Sequence, residues 1–80
     1  MEYVVYVIES KERYRYTGLT INIEERLKEH NNKSLSIWTK RGNDWKLVYS
    51  EKFQKKSEAY KREKWLKTGK GREYLKKLLG

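Results

Sequence analysis

Five residues along the chain have side chains that could act together on a phosphodiester bond. Two are phenols, Tyr6 and Tyr16, and the others are Arg26, His30 and Glu63. A carboxylate can hold Mg²⁺, and a guanidinium can steady charge that grows on a phosphate. A phenol or an imidazole can position or deprotonate the attacking water. These residue types are the parts that metal-assisted phosphodiester cleavage needs.

A helix predicted from residue 22 to residue 30 positions two of them. Asn22, followed by a glutamate three residues on, predicts a capping box at its start. Ile23 and Leu27 form the apolar pair of the helix, and Arg26 and His30 fall on or beside the same stripe. The remaining side chains are expected to face away: Glu24, Glu25, Lys28 and Glu29. An arginine and a histidine on the inner side of a short helix indicate a candidate site.

Two strands are predicted to position the phenols. Residues 3–8 are β-branched and aromatic on both faces, which is typical of a central strand covered on two sides. Residues 13–17 alternate with period two. If residues 10–12 form the loop, Tyr6 lies directly opposite Tyr16 on one face. Such a pair can also serve packing alone, and without further context packing is the favoured interpretation.

The rest of the chain predicts one more strand and two more helices. Gly18 follows the second strand and is expected to make a tight turn into the first helix. Residues 45–53 predict a third strand. A second helix is expected from residue 56 or 57 to residue 68, with Gly69 as its left-handed cap, and a short last helix after Gly71. The fold class is therefore α/β, with a small three-stranded, mainly antiparallel sheet and about three helices packed around it.

Glu63 lies in line with apolar residues on the second helix. Ala59, Glu63 and Leu66 are at i, i+4 and i+7, which places the carboxylate on the inner face. A carboxylate at this position needs a cation. That cation is either a neighbouring Arg62 or Lys67 on a mostly solvated helix, or a bound metal ion.

Composition limits the classes of function. The chain has 80 residues, which predicts one small domain over residues 1–80, and its 14% aromatic content indicates a folded chain. The formal net charge of +9 favours a polyanionic partner, with nucleic acid first, although a merely soluble basic surface is the alternative. With no Cys and a single His, a disulfide framework, a thiolate nucleophile and a zinc finger are excluded. No apolar run has membrane-spanning length, so we expect a cytoplasmic protein and no membrane partner.

The connection between the first helix and the third strand carries a mixture of basic, hydroxyl and aromatic side chains. Such a mixture contacts phosphates and stacks on bases. It is equally consistent with a loop that Ile37 and Trp38 anchor to the core, and both can hold at once. The candidate substrate-binding residues are Gly18 and four residues of this connection: Lys33, Thr39, Lys40 and Arg41.

The ordered set of motifs resembles the GIY-YIG nuclease domain over nearly the whole chain. The set consists of the strand with Tyr6, the triplet Tyr16-Thr17-Gly18, Arg26 with His30 four residues on, and the helix with Ala59 and Glu63. Three stretches look like the small stand-alone members related to the excision-repair incision nuclease and to intron homing endonucleases: residues 45–49, 57–64 and 69–73. Each short motif alone is weak evidence for the family, whereas the ordered set with its spacings is fairly specific for it.

The resemblance implies a role for each of the five residues. Tyr6 and Tyr16 are the tyrosines of the first and second triads, and one of them activates the water, with His30 as a candidate proton acceptor. Arg26 binds the scissile phosphate, and Glu63 is the protein ligand of one divalent metal ion, Mg²⁺ or Mn²⁺.

The sequence also departs from the family pattern at three places. The first triad, Val4-Val5-Tyr6, lacks its glycine, and Leu19 stands where some relatives carry a lysine. No residue matches the asparagine that some relatives carry after the helix with the glutamate.

The resemblance implies a metal-dependent DNA endonuclease that belongs with DNA repair enzymes. A domain of this size has little room for long sequence readout, so we expect cutting directed by branched, nicked or duplex DNA structure, or by a specificity-giving protein partner. The alternative is a non-catalytic nucleic-acid-binding module of the same fold. Loss of Arg26 or Glu63 would indicate that alternative, and both residues are present. A third class is a basic protein–protein adaptor, and no feature of the sequence supports it.

Overall fold

The β-branched and aromatic run near the N-terminus forms the central strand of the sheet. The computed structural model describes residues 1–31 and 42–80. Its strands are β1 (Tyr3–Glu9), β2 (Arg15–Thr20) and β3 (Lys46–Phe53), and its helices are α1 (Ile23–Asn31), α2 (Lys56–Leu66) and α3 (Gly69–Leu79). The three strands form one antiparallel sheet in the order β2-β1-β3. The predicted α/β class is confirmed.

The side chains of β1 alternate between two apolar clusters, one on each face of the sheet. Val5 and Val7 pack against Ala59, Leu66 and Leu75, which belong to α2 and α3. On the opposite face, β1 packs against α1 and the residue before β3; this cluster contains Val4, Tyr6, Ile8 and Trp45, with Ile23 and Leu27 against it. The prediction that the first strand is central and covered on both sides is therefore confirmed.

The pairing of β1 with β2 differs from the predicted register by two residues. Glu9 pairs with Arg15 rather than Arg13, so Ile8, not Tyr6, lies opposite Tyr16. The connection is longer than expected because Ser10 N–H donates to the carbonyl of Tyr14 at 2.9 Å and Arg13 takes a left-handed conformation with φ 75°. A shift of two residues keeps each side chain on its predicted face, so both phenols still share one face.

Gly18 lies inside β2, so the predicted tight turn at this residue is wrong. Gly18 pairs with Tyr6, and a Cβ atom at this position would lie 2.5 Å from Tyr6 Oη. The glycine is therefore needed for a close approach of the ring to the backbone. The chain turns later, where Thr20 Oγ1 accepts a hydrogen bond from the backbone N–H of Asn22 at 3.1 Å.

The predicted capping box begins α1. Asn22 Oδ1 accepts the backbone N–H of Glu25 at 3.1 Å, which satisfies one of the free donors of the first turn. Glu25 reaches back to the side-chain amide of Asn22 at 3.4 Å instead of its backbone N–H, which Thr20 already holds. In the described parts of the chain, no helix is long and apolar enough to cross a membrane.

The segment that leads into β3 is tied to α1 and to the β1–β2 connection. The side chain of Asn31 accepts the backbone N–H of Trp45 at 2.7 Å and donates to its carbonyl at 3.1 Å. Asn43 donates two hydrogen bonds of 2.9 Å to the carboxylate of Glu12. Trp45, predicted as the first residue of the third strand, lies just before β3 and is buried. The bonds of Asn31 hold the last turn of α1 to the segment before β3, and those of Asn43 hold this segment to the β1–β2 connection.

The junction of α2 and α3 also differs from the prediction. Gly69 does not cap α2 in a left-handed conformation; it is the first residue of α3, which starts earlier than expected. Thr68 is the N-cap of α3, and its hydroxyl accepts the backbone N–H of Gly71 at 3.2 Å. A Cβ atom on Gly71 would lie 2.1 Å from the carbonyl oxygen of Trp65, so the two helices touch through backbone atoms.

We predict that Gly71→Ala destabilises the protein strongly and that Gly69→Ala does not. The methyl group at residue 71 must push the two helices apart, and overpacking of this kind typically costs about 1–3 kcal/mol. At residue 69 an added Cβ meets no atom within 4 Å. Urea unfolding followed by circular dichroism measures both free energies of unfolding. Equal stability of the two variants would contradict the close packing of α2 on α3.

Candidate active site

The centre of the candidate site is a buried hydrogen bond between Tyr6 and His30. Tyr6 Oη lies 2.9 Å from His30 Nε2, and both residues are 2% exposed. Tyr6 points toward α1 from the middle of β1, and His30 comes from the last turn of α1. The predicted inward orientation of His30 is therefore observed.

Tyr16 completes a cluster of three rings. Its ring centroid lies 6.3 Å from that of Tyr6 and 5.0 Å from that of His30. These separations are typical of aromatic contacts. The third ring pair, Tyr6 with His30, is 6.0 Å apart. The shifted register therefore brings the two phenols into diagonal contact on one face, with the imidazole beside both.

The charges around Tyr6 converge on its hydroxyl. Burial, and then the neighbouring Tyr16, raise the pKa of Tyr6 well above its usual value. The positive charge of Arg26 lowers the pKa of Tyr6, whereas the negative charges of Glu63 and Glu29 raise it. Arg26 from α1 and Glu63 from α2 thus lie within electrostatic range of one phenol. Glu29, which was predicted to face away, is half-buried and also acts on this phenol.

His30 is held in its neutral form. Burial, and then the charge of Arg26, lower the pKa of His30 below its usual 6.5. At pH 7 the imidazole therefore carries no charge, while the Tyr6 hydroxyl keeps its proton. A neutral imidazole that is hydrogen-bonded to a phenol can accept a proton, which makes His30 the better base of the two.

Arg26 is a partly buried cation with unused hydrogen-bonding capacity. Its Nε is buried and has no hydrogen-bond partner among the described residues. Its guanidinium also forms no ion pair with any carboxylate that the structure describes. Burying a charged group without a partner is unfavourable, so this side chain is suited to an anionic ligand.

Glu63 faces inward, as predicted, and pairs with a lysine one helical turn further on. Its side chain is 15% exposed, and Oε2 lies 3.1 Å from Lys67 Nζ. Of the two cations considered from the sequence, Lys67 is therefore the partner. Arg62 instead donates two hydrogen bonds to Glu51, at 2.9 and 3.1 Å.

The donor set around Glu63 fits a hard ion such as Mg²⁺ or Mn²⁺ better than a metal ion that prefers nitrogen or sulfur ligands. In the described ranges, no group of three or more His, Cys, Asp or Glu side chains comes together. Mg²⁺ is commonly held by one or two carboxylates together with water and substrate phosphate oxygens. The Oε1 atom of Glu63 has no hydrogen-bond donor within the described residues, so the carboxylate has room for a further ligand.

Of the five predicted substrate-binding residues, the structure describes Gly18, which lies against Tyr6. The other four lie outside the described ranges and stay predictions: Lys33, Thr39, Lys40 and Arg41. The predicted anchoring of the connection by Ile37 and Trp38 also lies outside these ranges. Lys67 was not predicted as a residue of the site. Its i, i+4 spacing from Glu63 was the available signal.

We predict that His30 titrates with a midpoint below 6.5 and that Arg26→Ala raises this midpoint. Removal of the arginine charge removes one cause of the lowered pKa. His30 is the single His of the chain, so its ring-proton NMR signals are unambiguous during a pH titration.

The lowered pKa also affects stability. As the pH falls through about 6.5, the imidazole is protonated in the unfolded chain before it is protonated in the folded chain, so the free energy of unfolding should decrease at acid pH.

Lys28→Ala is the matched control for this titration because Lys28 is an exposed cation on the same helix. It should leave the midpoint unchanged. A parental midpoint at or above 6.5 would contradict the lowered pKa of His30, and a midpoint that Arg26→Ala does not move would show that the charge of Arg26 does not act on His30.

Comparison with known proteins identifies the family. A family model described as the GIY-YIG catalytic domain matches residues 2–77. The UPF0213 protein SH2523 of Staphylococcus haemolyticus is 39% identical over 75 residues, which cover 94% of this chain and 92% of that protein. The UPF0213 protein CPE1444 of Clostridium perfringens is 43% identical over 63 residues, covering 79% and 68%.

A solved structure shows the same similarity in three dimensions. The solution NMR structure of the UPF0213 protein BH0048 from Bacillus halodurans matches with a TM-score of 0.60 and 30% identity, covering 100% of this chain and 87% of that one. GIY-YIG domains are nuclease domains that act on DNA and generally depend on a divalent metal ion. With the family model matching nearly the whole length, the chain belongs to the GIY-YIG nuclease domain family, which implies a nuclease-type function.

Proposed function

We propose that this chain is a metal-dependent endonuclease that hydrolyses one phosphodiester bond of DNA per event. The observation that carries the proposal is the partly buried Arg26, whose Nε has no hydrogen-bond partner in the described residues and whose charge acts on both Tyr6 and His30. An anion that binds Arg26 is therefore placed beside a phenol and a neutral imidazole. A phosphodiester is such an anion, and the net charge of +9 attracts its polymer.

Each residue of the site has a role in this proposal. The guanidinium of Arg26 binds the non-bridging oxygens of the scissile phosphate and stabilises the charge that grows on them. A phenol, Tyr6 or Tyr16, orients the attacking water. The proton of this water passes to His30, directly or through the Tyr6 hydroxyl that is hydrogen-bonded to it. The raised pKa of Tyr6 keeps its hydroxyl protonated, so no phenolate is available to take the proton and His30 is the final acceptor.

Glu63 would hold the divalent ion, Mg²⁺ or Mn²⁺. When bound, such an ion polarises the phosphoryl group and offsets its negative charge. Within the chain, the task of Glu63 is to keep a carboxylate oxygen directed toward the phosphate site.

DNA structure or a protein partner, rather than a long base sequence, is proposed to direct the cut. The compact site lies on an 80-residue chain, which offers little surface for base readout. Branched and nicked duplexes, which are substrates for repair nucleases, are therefore the first to test alongside plain duplex DNA.

We predict that Glu63→Gln abolishes nicking in Mg²⁺ while DNA binding stays at the parental level or increases. Glutamine keeps the shape of the side chain but removes the charge that a hard divalent ion prefers. We expect the nicking rate to fall by at least about 100-fold, since a bound metal ion contributes several kcal/mol to the transition state. Gel assays of nicked product and fluorescence anisotropy of labelled DNA measure the two properties.

Glu58→Gln is the matched control because Glu58 is exposed on the same helix, and it should nick at the parental rate. Nicking by the parent that persists in EDTA, or a Glu63→Gln variant that nicks at the parental rate, would remove Glu63 from the site. DNA binding without any nicking by the parent would favour the non-catalytic module.

We predict that Arg26→Ala lowers the nicking rate by about 10²–10³-fold, as the loss of a preorganised donor to an oxyanion does. The fold should be retained, and the free energy of unfolding should stay equal or increase, because a buried unsatisfied donor is removed. Lys28→Ala serves again as the control with parental nicking. If Arg26→Ala unfolds the protein while nicking per folded molecule is unchanged, the arginine is structural.

A further inference from the structure

Lys67 holds the same carboxylate that is proposed to bind the metal ion. Its Nζ lies 3.1 Å from Oε2 of Glu63, one helical turn away. The lysine side chain is 51% exposed and the glutamate side chain 15% exposed, so the cation reaches in from solvent. Half-exposed pairs at this spacing contribute little to stability, so separating them costs little. A lysine, with a compact charge on a flexible stem, is also easier to move than a bidentate arginine.

A second anion-binding surface begins next to Lys67. An open groove of about 890 Å³ lies between β2 and α3, and we call it the β2–α3 groove. Five cationic side chains line it: Arg13, Arg15, Lys67, Arg72 and Lys76. Tyr16 of the three-ring cluster also lines this groove, so the groove borders the candidate active site at this residue.

The charge of the β2–α3 groove is only partly neutralised by the described residues. Glu9 is the one side-chain carboxylate among the described residues that line it, and Glu9 pairs with Arg15 at 2.8 Å and with Arg13 at 3.8 Å. Arg72 and Lys76 form no ion pair with any carboxylate in the described residues. A strand of nucleic acid leaving the site beside Tyr16 would therefore find unpaired cations along its phosphates.

We propose that Lys67 exchanges partners during substrate binding. In the metal-free protein it neutralises the half-buried carboxylate of Glu63. When Glu63 takes a divalent cation, Nζ turns into the β2–α3 groove and binds a DNA phosphate next to the scissile one. This inference rests on the proposed function, because it assigns Glu63 to the metal ion and DNA to the groove.

The exchange couples the binding of metal ion and of DNA. A cation on Glu63 frees Lys67 for a phosphate, and a phosphate that attracts Lys67 frees Glu63 for a cation. By thermodynamic linkage each ligand then raises the affinity of the other by the same factor. Lys67 would therefore lower the affinity of Glu63 for the metal ion in the free protein, and this affinity would rise when DNA is bound.

The first test measures Mn²⁺ binding in the absence of DNA, by the electron paramagnetic resonance signal of free Mn²⁺. Lys67→Met should bind Mn²⁺ about threefold more tightly than the parent, since an ion pair of this kind competes with modest strength. Lys64→Met is the matched control because Lys64 lies in the last turn of α2, just before Lys67, with Nζ 4.6 Å from the ring of Tyr60. It should leave Mn²⁺ affinity unchanged. Equal affinity of the parent and Lys67→Met would overturn the exchange.

The second test measures DNA affinity by anisotropy, with EDTA or with Ca²⁺ as a hard cation that takes oxygen ligands. Gel analysis after each titration checks that the DNA is intact. Ca²⁺ should raise the DNA affinity of the parent more than that of Lys67→Met. In Ca²⁺ the slope of log affinity against log salt should be shallower for Lys67→Met by about 0.9, the contribution of one phosphate contact in a duplex. An equal loss of affinity in EDTA and in Ca²⁺ would mean a permanent phosphate contact without exchange.

The two proposals fail in different ways in these measurements. If Glu63→Gln abolishes Mn²⁺ binding while Lys67→Met binds like the parent, the exchange is wrong and the metal role of Glu63 stands. If Glu63→Gln binds Mn²⁺ as the parent does, Glu63 is not the ligand, and both the exchange and the metal role in the proposed function are overturned.

Discussion

The ring of Tyr6 lies so close to the backbone of Gly18 that a Cβ atom there would come within 2.5 Å of the phenol oxygen. This contact fixes the hydroxyl between the edge strand and α1, where His30 Nε2 binds it at 2.9 Å. Tyr6 is also part of the apolar cluster that holds α1 on the sheet. The same side chain therefore belongs both to the apolar core and to the candidate site. A larger residue at position 18 would displace the Tyr6 hydroxyl and α1 together.

The two charged groups of the site reach Tyr6 from helices on opposite faces of the sheet. Arg26 comes from α1, and Glu63 comes from α2, yet the charges of both act on the Tyr6 hydroxyl. Among the described residues, Arg26 Nε has no hydrogen-bond partner, and Glu63 is paired with the half-exposed Lys67. In the proposed function, Arg26 would gain its partner when the phosphate binds, and Glu63 would exchange its partner when the divalent ion binds.

The sequence predicted the features that depend on periodicity and failed on those that depend on backbone conformation. The inward positions of Arg26, His30 and Glu63 followed from helical spacing, and the capping box at Asn22 followed from local chemistry. The strand register failed because the left-handed conformation of Arg13 lengthens the connection, and no residue type announces it. Gly18 and Gly69 were assigned to turns because glycine permits them, whereas tertiary packing placed them in a strand and a helix.

The hydrogen-bond partners of a second arginine, Arg62, contrast with those of Arg26. Arg62 donates to both oxygens of Glu51, and its guanidinium stacks 4.7 Å from the ring of Trp65 and 5.3 Å from that of Tyr74. The hydrogen bonds to Glu51 are the main cause of a raised pKa of Arg62. The guanidinium therefore links β3 to α2 and α3 through its contacts with Glu51, Trp65 and Tyr74. Arg62 is therefore held by a carboxylate and two aromatic rings. Arg26, whose Nε lacks a partner among the described residues, is the arginine beside a neutral imidazole. This difference, rather than residue type, is why Arg26 and not Arg62 is proposed to bind the phosphate.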